Sequence, residues 1–354
     1  MKILKKFRLG KISLKNRICI APMCQYSGLN GNPSRWHYNH LGNLMKAGAG
    51  LLMIESTATS KIGMISQKDL SLRNQENFLN FKKLVKYLKK IPNTRIGIQI
   101  SHSGRKGSAM VPWIKSNFPL KQKKERWRTV APSAIKRDKH WPIPEEISQI
   151  KIKKIIQDFL YSAKKANKIG FDCLEIHMSH GYLLHQFFSP ISNKRKDKYG
   201  GNLKNRCRLL LEIAKEIRKS WPKNKILGAR VNGSDWLKKG IKISDCIHLS
   251  KELKKIGFNY VCVTSGGIIP KTNLKYKPGY QVFLAEKIKK KVKIVTRTTG
   301  LIKDLNHANK IVKNNKADLV SFGRKFINSP NWLLNELAER KYDISIPNQY
   351  KRCF

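Results

Sequence analysis

The chain has 354 residues, 40% of them hydrophobic, which is enough for a packed interior and excludes an intrinsically disordered protein. Lys and Arg number 73 against 22 Asp and Glu, a formal net charge of +51. The longest apolar run, Ala47 to Ile54, is far short of the ~20 residues of a bilayer span, and "MKILKKFRLG" has no apolar stretch behind its charges, so neither a membrane segment nor a signal peptide is expected.

Seven cysteines, an odd number without a CxxC pair, fit a reducing cytoplasm better than a disulfide framework. The positive charge is spread along helix faces such as "FKKLVKYLKK" (81–90) and "KELKKIGF" (251–258). One dense basic segment exists, "KQKKERWR" (121–128), with Trp127 inside it. A nucleic-acid surface gathers its charge into a patch, so this distribution points to solvated faces and biased composition rather than to a nucleic-acid partner.

Short β-rich runs recur in order: "RICIAPM" (17–23), "LLMIES" (51–56), "IGIQIS" (96–101), "DCLEIH" (172–177), "LGARV" (227–231), "YVCVT" (260–264), "VKIVT" (292–296) and "DLVSF" (318–322). Each is nearly continuous in hydrophobicity, as strands covered on both faces should be. Amphipathic helices lie between several of them. Ile155, Ile156, Phe159, Leu160 and Ala163 recur at helical spacing and the segment closes on Gly170; a second helix is expected from a Ser244 cap through Leu249 and Leu253 to Gly257. Eight strands alternating with helices predict an α/β fold of the (β/α)8 TIM-barrel type over residues 1–354 as one domain. An open doubly wound sheet usually has a Gly-rich turn after its first strand, and "APMCQYSG" lacks it.

Chemistry in such a barrel belongs at the carboxyl ends of the strands. Met23 and Cys24 end the first, with Gln25 and Tyr26 after them. Ser56 ends the second, and Gln99 and His102 belong to the third. The fourth runs into "EIHMSHGYLLHQFFSP" (175–190), which holds His177, His180, Tyr182 and His185. Arg230 interrupts the fifth, and glycines end the sixth to the eighth: Gly266 and Gly267, Gly300, then Gly323 followed by Arg324. A charged Arg in an apolar strand requires an anionic partner. Glycines where backbone N–H groups approach a ligand, with a guanidinium beside them, suit a phosphate. "HMSH" and "WHYNH" are i, i+3 pairs, but without an HExxH or CxxC no metal is expected.

Taken together, "LKNRICIAPMCQYS", "IGIQISHSGRK", "GFDCLEIHMSHGYLLHQFFSPISNKRKDKYGG", "ADLVSFGR" and the terminal "YKRCF" resemble the old yellow enzyme family of FMN-dependent ene-reductases, in its YqjM-like and xenobiotic-reductase-like branch. The resemblance implies FMN across the barrel mouth and NAD(P)H as co-substrate. By it, His177 and His180 would bond the oxygen of an activating carbonyl or nitro group, and Tyr182 would protonate the α carbon. Gln99 would meet the flavin pyrimidine edge and Arg230 the N1/O2 side. Met23, Cys24 and Ser56 fall at flavin-contacting positions, Tyr26 at a substrate contact, and Gly300, Gly323 and Arg324 at the phosphate. Arg352 matches a residue that reaches a neighbouring subunit's site, which implies a homo-oligomer.

The implied substrate is a small activated alkene, enone, nitro or quinone-like compound. Two features depart from the pattern. Arg297 in "VTRTTG" stands where glycine is common before the phosphate turn, and a guanidinium there either reinforces the phosphate contact or crowds it. The segment around 105–130 is long, which suggests a lid or rim, and 343–354 reads as a C-terminal tail. The tRNA-dihydrouridine synthases, FMN barrels that bind RNA, would use the basic charge, as would a basic RNA-binding barrel without activity. The former has its cysteine in an "NxGCP"-type loop, absent here, and the latter need not keep His177, His180, Tyr182, Gln99 and Arg230 together.

Overall fold

In the computed structural model, which describes residues 1–91, 94–272, 274–342 and 348–353, eight parallel strands close into a barrel. In chain order the strands are β1 (Phe7–Leu9), β2 (Ile12–Leu14), β3 (Ile18–Ile20), β4 (Leu51–Ala58), β5 (Arg95–Ser101), β6 (Val130–Ala131), β7 (Glu145–Glu146), β8 (Cys173–Met178), β9 (Ile226–Asn232), β10 (Tyr260–Thr264), β11 (Val295–Thr298) and β12 (Leu319–Phe322). The ring runs β3-β4-β5-β8-β9-β10-β11-β12 and back to β3. This is the expected (β/α)8 barrel, with each of the eight expected strands present. Every residue of β4, β8 and β9 is buried, which explains why they read as unbroken apolar runs.

The helices pack on the outside. The helix Gln149–Ile169 starts where the Ser148 side chain accepts the Lys151 N–H, and it ends on Gly170 at φ +100. In that left-handed conformation glycine pays no Cβ penalty. The next expected helix is Ile243–Ile256, and its cap is Lys242, whose backbone N–H donates to Asp245; Ser244 falls inside the first turn instead. Its end on Gly257, at φ +100, agrees with the expectation.

The seventh barrel strand is displaced from the expected 292–296. Val292 still belongs to the helix Val282–Val292, and Lys293 turns the chain at φ +54 before β11 begins. Arg297 therefore lies within the ladder, paired with Cys262 on one side and Leu319 on the other, rather than in the turn beyond it.

The antiparallel pair β1–β2 was not expected. Its Leu9 and Leu14 pack with Cys19, Leu51, Cys173, Ile226 and Tyr260, residues at or near the beginnings of barrel strands. The hairpin thus stoppers the amino end of the barrel and leaves the carboxyl end as the mouth. Among the described residues no helix is long and apolar enough to cross a membrane. The chain makes an excursion after β5 that includes the short helix Pro112–Lys115 and the β6–β7 pair. Of the tail at 343–354, residues 343–347 and Phe354 lie outside the described residues; Asn348–Cys353 form a 3-10 turn whose Tyr350 hydroxyl accepts a bond from Lys46 at 2.8 Å.

Candidate active site

The turn after β8 is built on backbone that only glycine tolerates. Gly181 sits at φ +73, and a Cβ there would lie 2.0 Å from the Gly267 carbonyl oxygen. Gly267, at φ +87, is close as well: a Cβ there would lie 2.8 Å from the His180 backbone. The loops after β8 and β10 thus meet backbone to backbone, which brings His180 beside Thr264. His185, fully buried one turn on, accepts the Gly181 N–H at Nδ1 (2.6 Å), and its Nε2 is 2.8 Å from Asp235. It braces the turn and does not face the mouth.

The three chemically interesting rings converge. His177 stands edge-to-face with Tyr182 at 4.7 Å between centroids and with His180 at 5.3 Å. The Ser179 N–H donates to His177 Nδ1 at 3.3 Å; a backbone N–H cannot accept, so the ring proton is on Nε2. His180 Nε2 lies 2.8 Å from the Thr264 hydroxyl, which itself donates to Gln281 Oε1 at 2.8 Å, so His180 is the donor in that pair. Burial first, and then the charge of Arg230, push both imidazoles well below their ordinary pKa. They are neutral donors at pH 7. Burial, followed by Cys24, Tyr26 and Asp69, pushes the Tyr182 hydroxyl well above its ordinary value, so it keeps its proton. Cys24 is raised by burial too and stays a thiol.

Lys106 escaped the sequence reading. Its Nζ donates to the His180 carbonyl at 2.7 Å and lies 4.7 Å from the centre of the Tyr182 ring. Burial, then Arg137 and Arg105, lower it to about 7. Tyr26, at φ +48, meets Trp113 of the excursion edge-to-face at 6.1 Å between ring centroids.

Beside the rings opens a cavity of about 590 Å³, lined by His180, Arg230, Gly300, Ser321, Gly323 and Arg324 among others. Five of the expected site residues thus share one space. Tyr276, Tyr280 and Gln281 also line it and carried no sequence signal. Gly300 takes φ +110 and is followed by Leu301 at φ +53, a left-handed pair that turns the chain around the cavity end. Gly323 precedes the short helix Arg324–Asn328, and a Cβ on it would lie 3.0 Å from Met23 Sδ. Ser56 is buried at the irregularity in the β4–β5 ladder, opposite Gln99.

Arg230 is 9% exposed and makes no hydrogen bond or ion pair with the described residues; its Nε is buried without a partner. A buried unpaired guanidinium costs several kcal/mol unless something anionic meets it. Together with the glycine turns and Arg324, it fits a phosphorylated ring ligand whose ring takes up negative charge on reduction, as that of FMN does.

Two expected residues behave differently. Arg297 is fully buried in the barrel interior and binds Glu175 at 2.5 Å. It neither reinforces nor crowds the phosphate end, because its strand position points it into the core. Arg352 is exposed in the terminal turn and does not join the other site residues. In the basic segment, the Trp127 indole donates to the Ile62 carbonyl at 3.3 Å rather than standing free.

Comparison with known proteins gives consistent findings. Residues 2–342 match the model of the NADH:flavin oxidoreductase / NADH oxidase family. An NADPH dehydrogenase of Clostridium acetobutylicum is 37% identical over 358 residues, covering all of both chains. That of Bacillus subtilis is 34% identical over 353 residues, covering 99% of this chain and 98% of its own. Morphinone reductase in complex with tetrahydroNAD superposes with a TM-score of 0.77 at 24% identity, over 98% of this chain and 92% of that one, a likeness of fold.

Proposed function

The chain belongs to the NADH:flavin oxidoreductase / NADH oxidase family, as an NAD(P)H-dependent flavin oxidoreductase of old yellow enzyme type with FMN as cofactor, and from that premise we propose that it reduces the C=C bond of α,β-unsaturated carbonyl or nitro compounds in a ping-pong cycle. Bound FMN supplies the hydride, taken from NAD(P)H and passed to the β carbon. The residues do the rest. His177 Nε2–H is aimed away from Ser179, free to donate to the substrate's carbonyl or nitro oxygen. His180 exchanges its Thr264 bond for the same oxygen. Negative charge grows on that oxygen as hydride arrives, and donors already in place meet it without reorganisation. Tyr182, protonated and beside His177, gives the α carbon its proton.

Arg230 would face the flavin N1/O2 side, where its charge would favour the reduced ring; Gln99 would meet the pyrimidine edge, and Met23, Cys24 and Ser56 would contact the ring system. Gly300, Gly323 and Arg324, which line the cavity, would hold the phosphate. Tyr26 contacts the substrate under a lid that starts near residue 105, on a single barrel domain working in the cytoplasm.

The observation that supports this reading most is the buried, unpaired Arg230 on a cavity wall it shares with His180 and Arg324. Purified protein is expected to be yellow, to bleach with NADPH under nitrogen, and to recover its flavin bands when 2-cyclohexenone is added. Protein that takes up no FMN overturns the cofactor site. Bands that bleach but recover with no enone overturn the acceptor class.

The exposed Arg352 gains a role if the chain assembles and the arginine enters a neighbour's mouth. Sedimentation is then expected to give a dimer or tetramer, with Arg352→Ala raising the enone KM several-fold; a monomer at micromolar concentration removes this part.

A further inference from the structure

Beneath the mouth lies a polar cluster that the reaction does not use directly. Glu175 is two residues before His177 on β8, hence on the same face and one layer deeper. It is fully buried, and both carboxylate oxygens are engaged. Oε1 accepts the Gln99 Nε2–H at 2.7 Å; Oε2 accepts Tyr260 OH at 2.8 Å and Arg297 Nη2 at 2.5 Å. Arg297 and Tyr260 are also fully buried, and Gln99 nearly so. Room for the Tyr260 ring comes from its ladder neighbour Gly228, where a Cβ would lie 2.1 Å from the ring. Burial works against the charge on Arg297, and Cys262 and Glu175 outweigh it, so the guanidinium stays charged.

A carboxylate accepts hydrogen bonds and cannot donate them. The side-chain amide of Gln99 must therefore turn its NH2 to Glu175, which leaves its carbonyl oxygen facing away. We infer that Glu175, anchored by Arg297 and Tyr260, is a positioning residue that locks the Gln99 amide with its oxygen presented to the cofactor, as an acceptor for the N3–H of the flavin pyrimidine ring. The inference rests on the reading of Gln99 as a flavin contact. It also gives Arg297 a purpose, in the barrel interior rather than at the phosphate end where the sequence suggested it.

Substituting Glu175→Gln sharpens the point. Arg297 and Tyr260 still demand an acceptor, so the new amide turns its oxygen to them and its NH2 to Gln99. Gln99 must then flip to accept, and its own NH2 is left facing the flavin N3–H, donor against donor. FMN affinity of the reconstituted apoprotein, read by flavin fluorescence quenching, is expected to fall about 10- to 100-fold, the range for an unmatched polar pair. Gln99→Leu is expected to fall comparably. In the Gln99→Leu background, Glu175→Gln should cost FMN binding nothing further, because the lock has nothing left to hold.

The outcomes separate. If Gln99→Leu leaves FMN binding unchanged, the flavin-contact reading of Gln99 fails and the inference goes with it. If Gln99→Leu weakens FMN but Glu175→Gln does not, or if Glu175→Gln weakens it equally with Leu at 99, the positioning role alone is overturned. Should Glu175→Gln fail to fold, Glu175→Asp withdraws the carboxylate from Gln99 while keeping its charge. An FMN dissociation constant several-fold higher, again abolished in the Gln99→Leu background, supports the lock; an unchanged one overturns it.

Discussion

Tyr182→Phe is expected to slow the reoxidation of reduced enzyme by an enone about 10²- to 10⁴-fold, the usual contribution of a positioned general acid, while flavin reduction by NAD(P)H proceeds at the wild-type rate. The substitution removes one oxygen. The ring keeps its edge contact with His177 and its place under Lys106, so the cofactor site is undisturbed and the loss falls on the step that consumes the proton. Stopped-flow measurement of the two half-reactions checks it, and an equal loss in both defeats the proton-donor role.

The same step should have a pH signature. The charged or titratable groups that bear on Tyr182 are Cys24, Tyr26, Asp69 and Arg137, with Lys106 over its ring. Cys24 and Tyr26 stay protonated and Arg137 stays charged through neutral pH. Lys106 is lowered to about 7 by burial, and burial raises Asp69 to about 7. As pH rises through 7, a cation beside the tyrosine is lost and an anion appears, and both changes oppose the negative charge that grows on its oxygen as the proton leaves. Reoxidation by enone is therefore expected to slow from pH 6 to pH 8 in the wild type and to lose that slope in Tyr182→Phe.

The fold was legible because parallel strands covered on both faces leave unbroken apolar runs, and all eight runs proved to be barrel strands. The local errors have physical causes. "KVKIVT" contains a left-handed Lys293 that no residue preference announces, and the resulting shift moved Arg297 from a turn into the core. Ser244 resembles a cap, yet Lys242 takes the place because Asp245 can reach back to its N–H. The short β1–β2 hairpin has too few residues to show a period. At the site, motif residues His177, His180 and Tyr182 do meet, and the cavity gathers Arg230, Gly300, Gly323 and Arg324. Lys106, Tyr280 and Gln281 were illegible, since what makes them neighbours of the site is the closing of the barrel. Glu175 stood in plain view in "EIHMSH", but its partner lies 122 residues away.

That long-range pair carries the second large effect. Arg297→Leu is expected to destabilise the protein by about 3–5 kcal/mol, because it strands the Glu175 carboxylate in the barrel interior without its counter-charge. With an unfolding entropy of roughly 2.1 cal/mol/K per residue, this lowers the melting midpoint of a 354-residue chain by about 4–7 °C. Adding Glu175→Gln should recover much of the loss, since a buried pair replaced by neutral groups of similar size is often tolerated while a broken pair is not. Melting of the apoproteins decides it. Additive losses, or an Arg297→Leu midpoint within 1 °C of wild type, would mean that the pair does not hold the core. The alternative left by the sequence, a phosphate-binding Arg297, predicts the opposite pattern: an unshifted apoprotein midpoint with FMN affinity lost. The 2.5 Å contact with Glu175 and the complete burial of both side chains favour the core role.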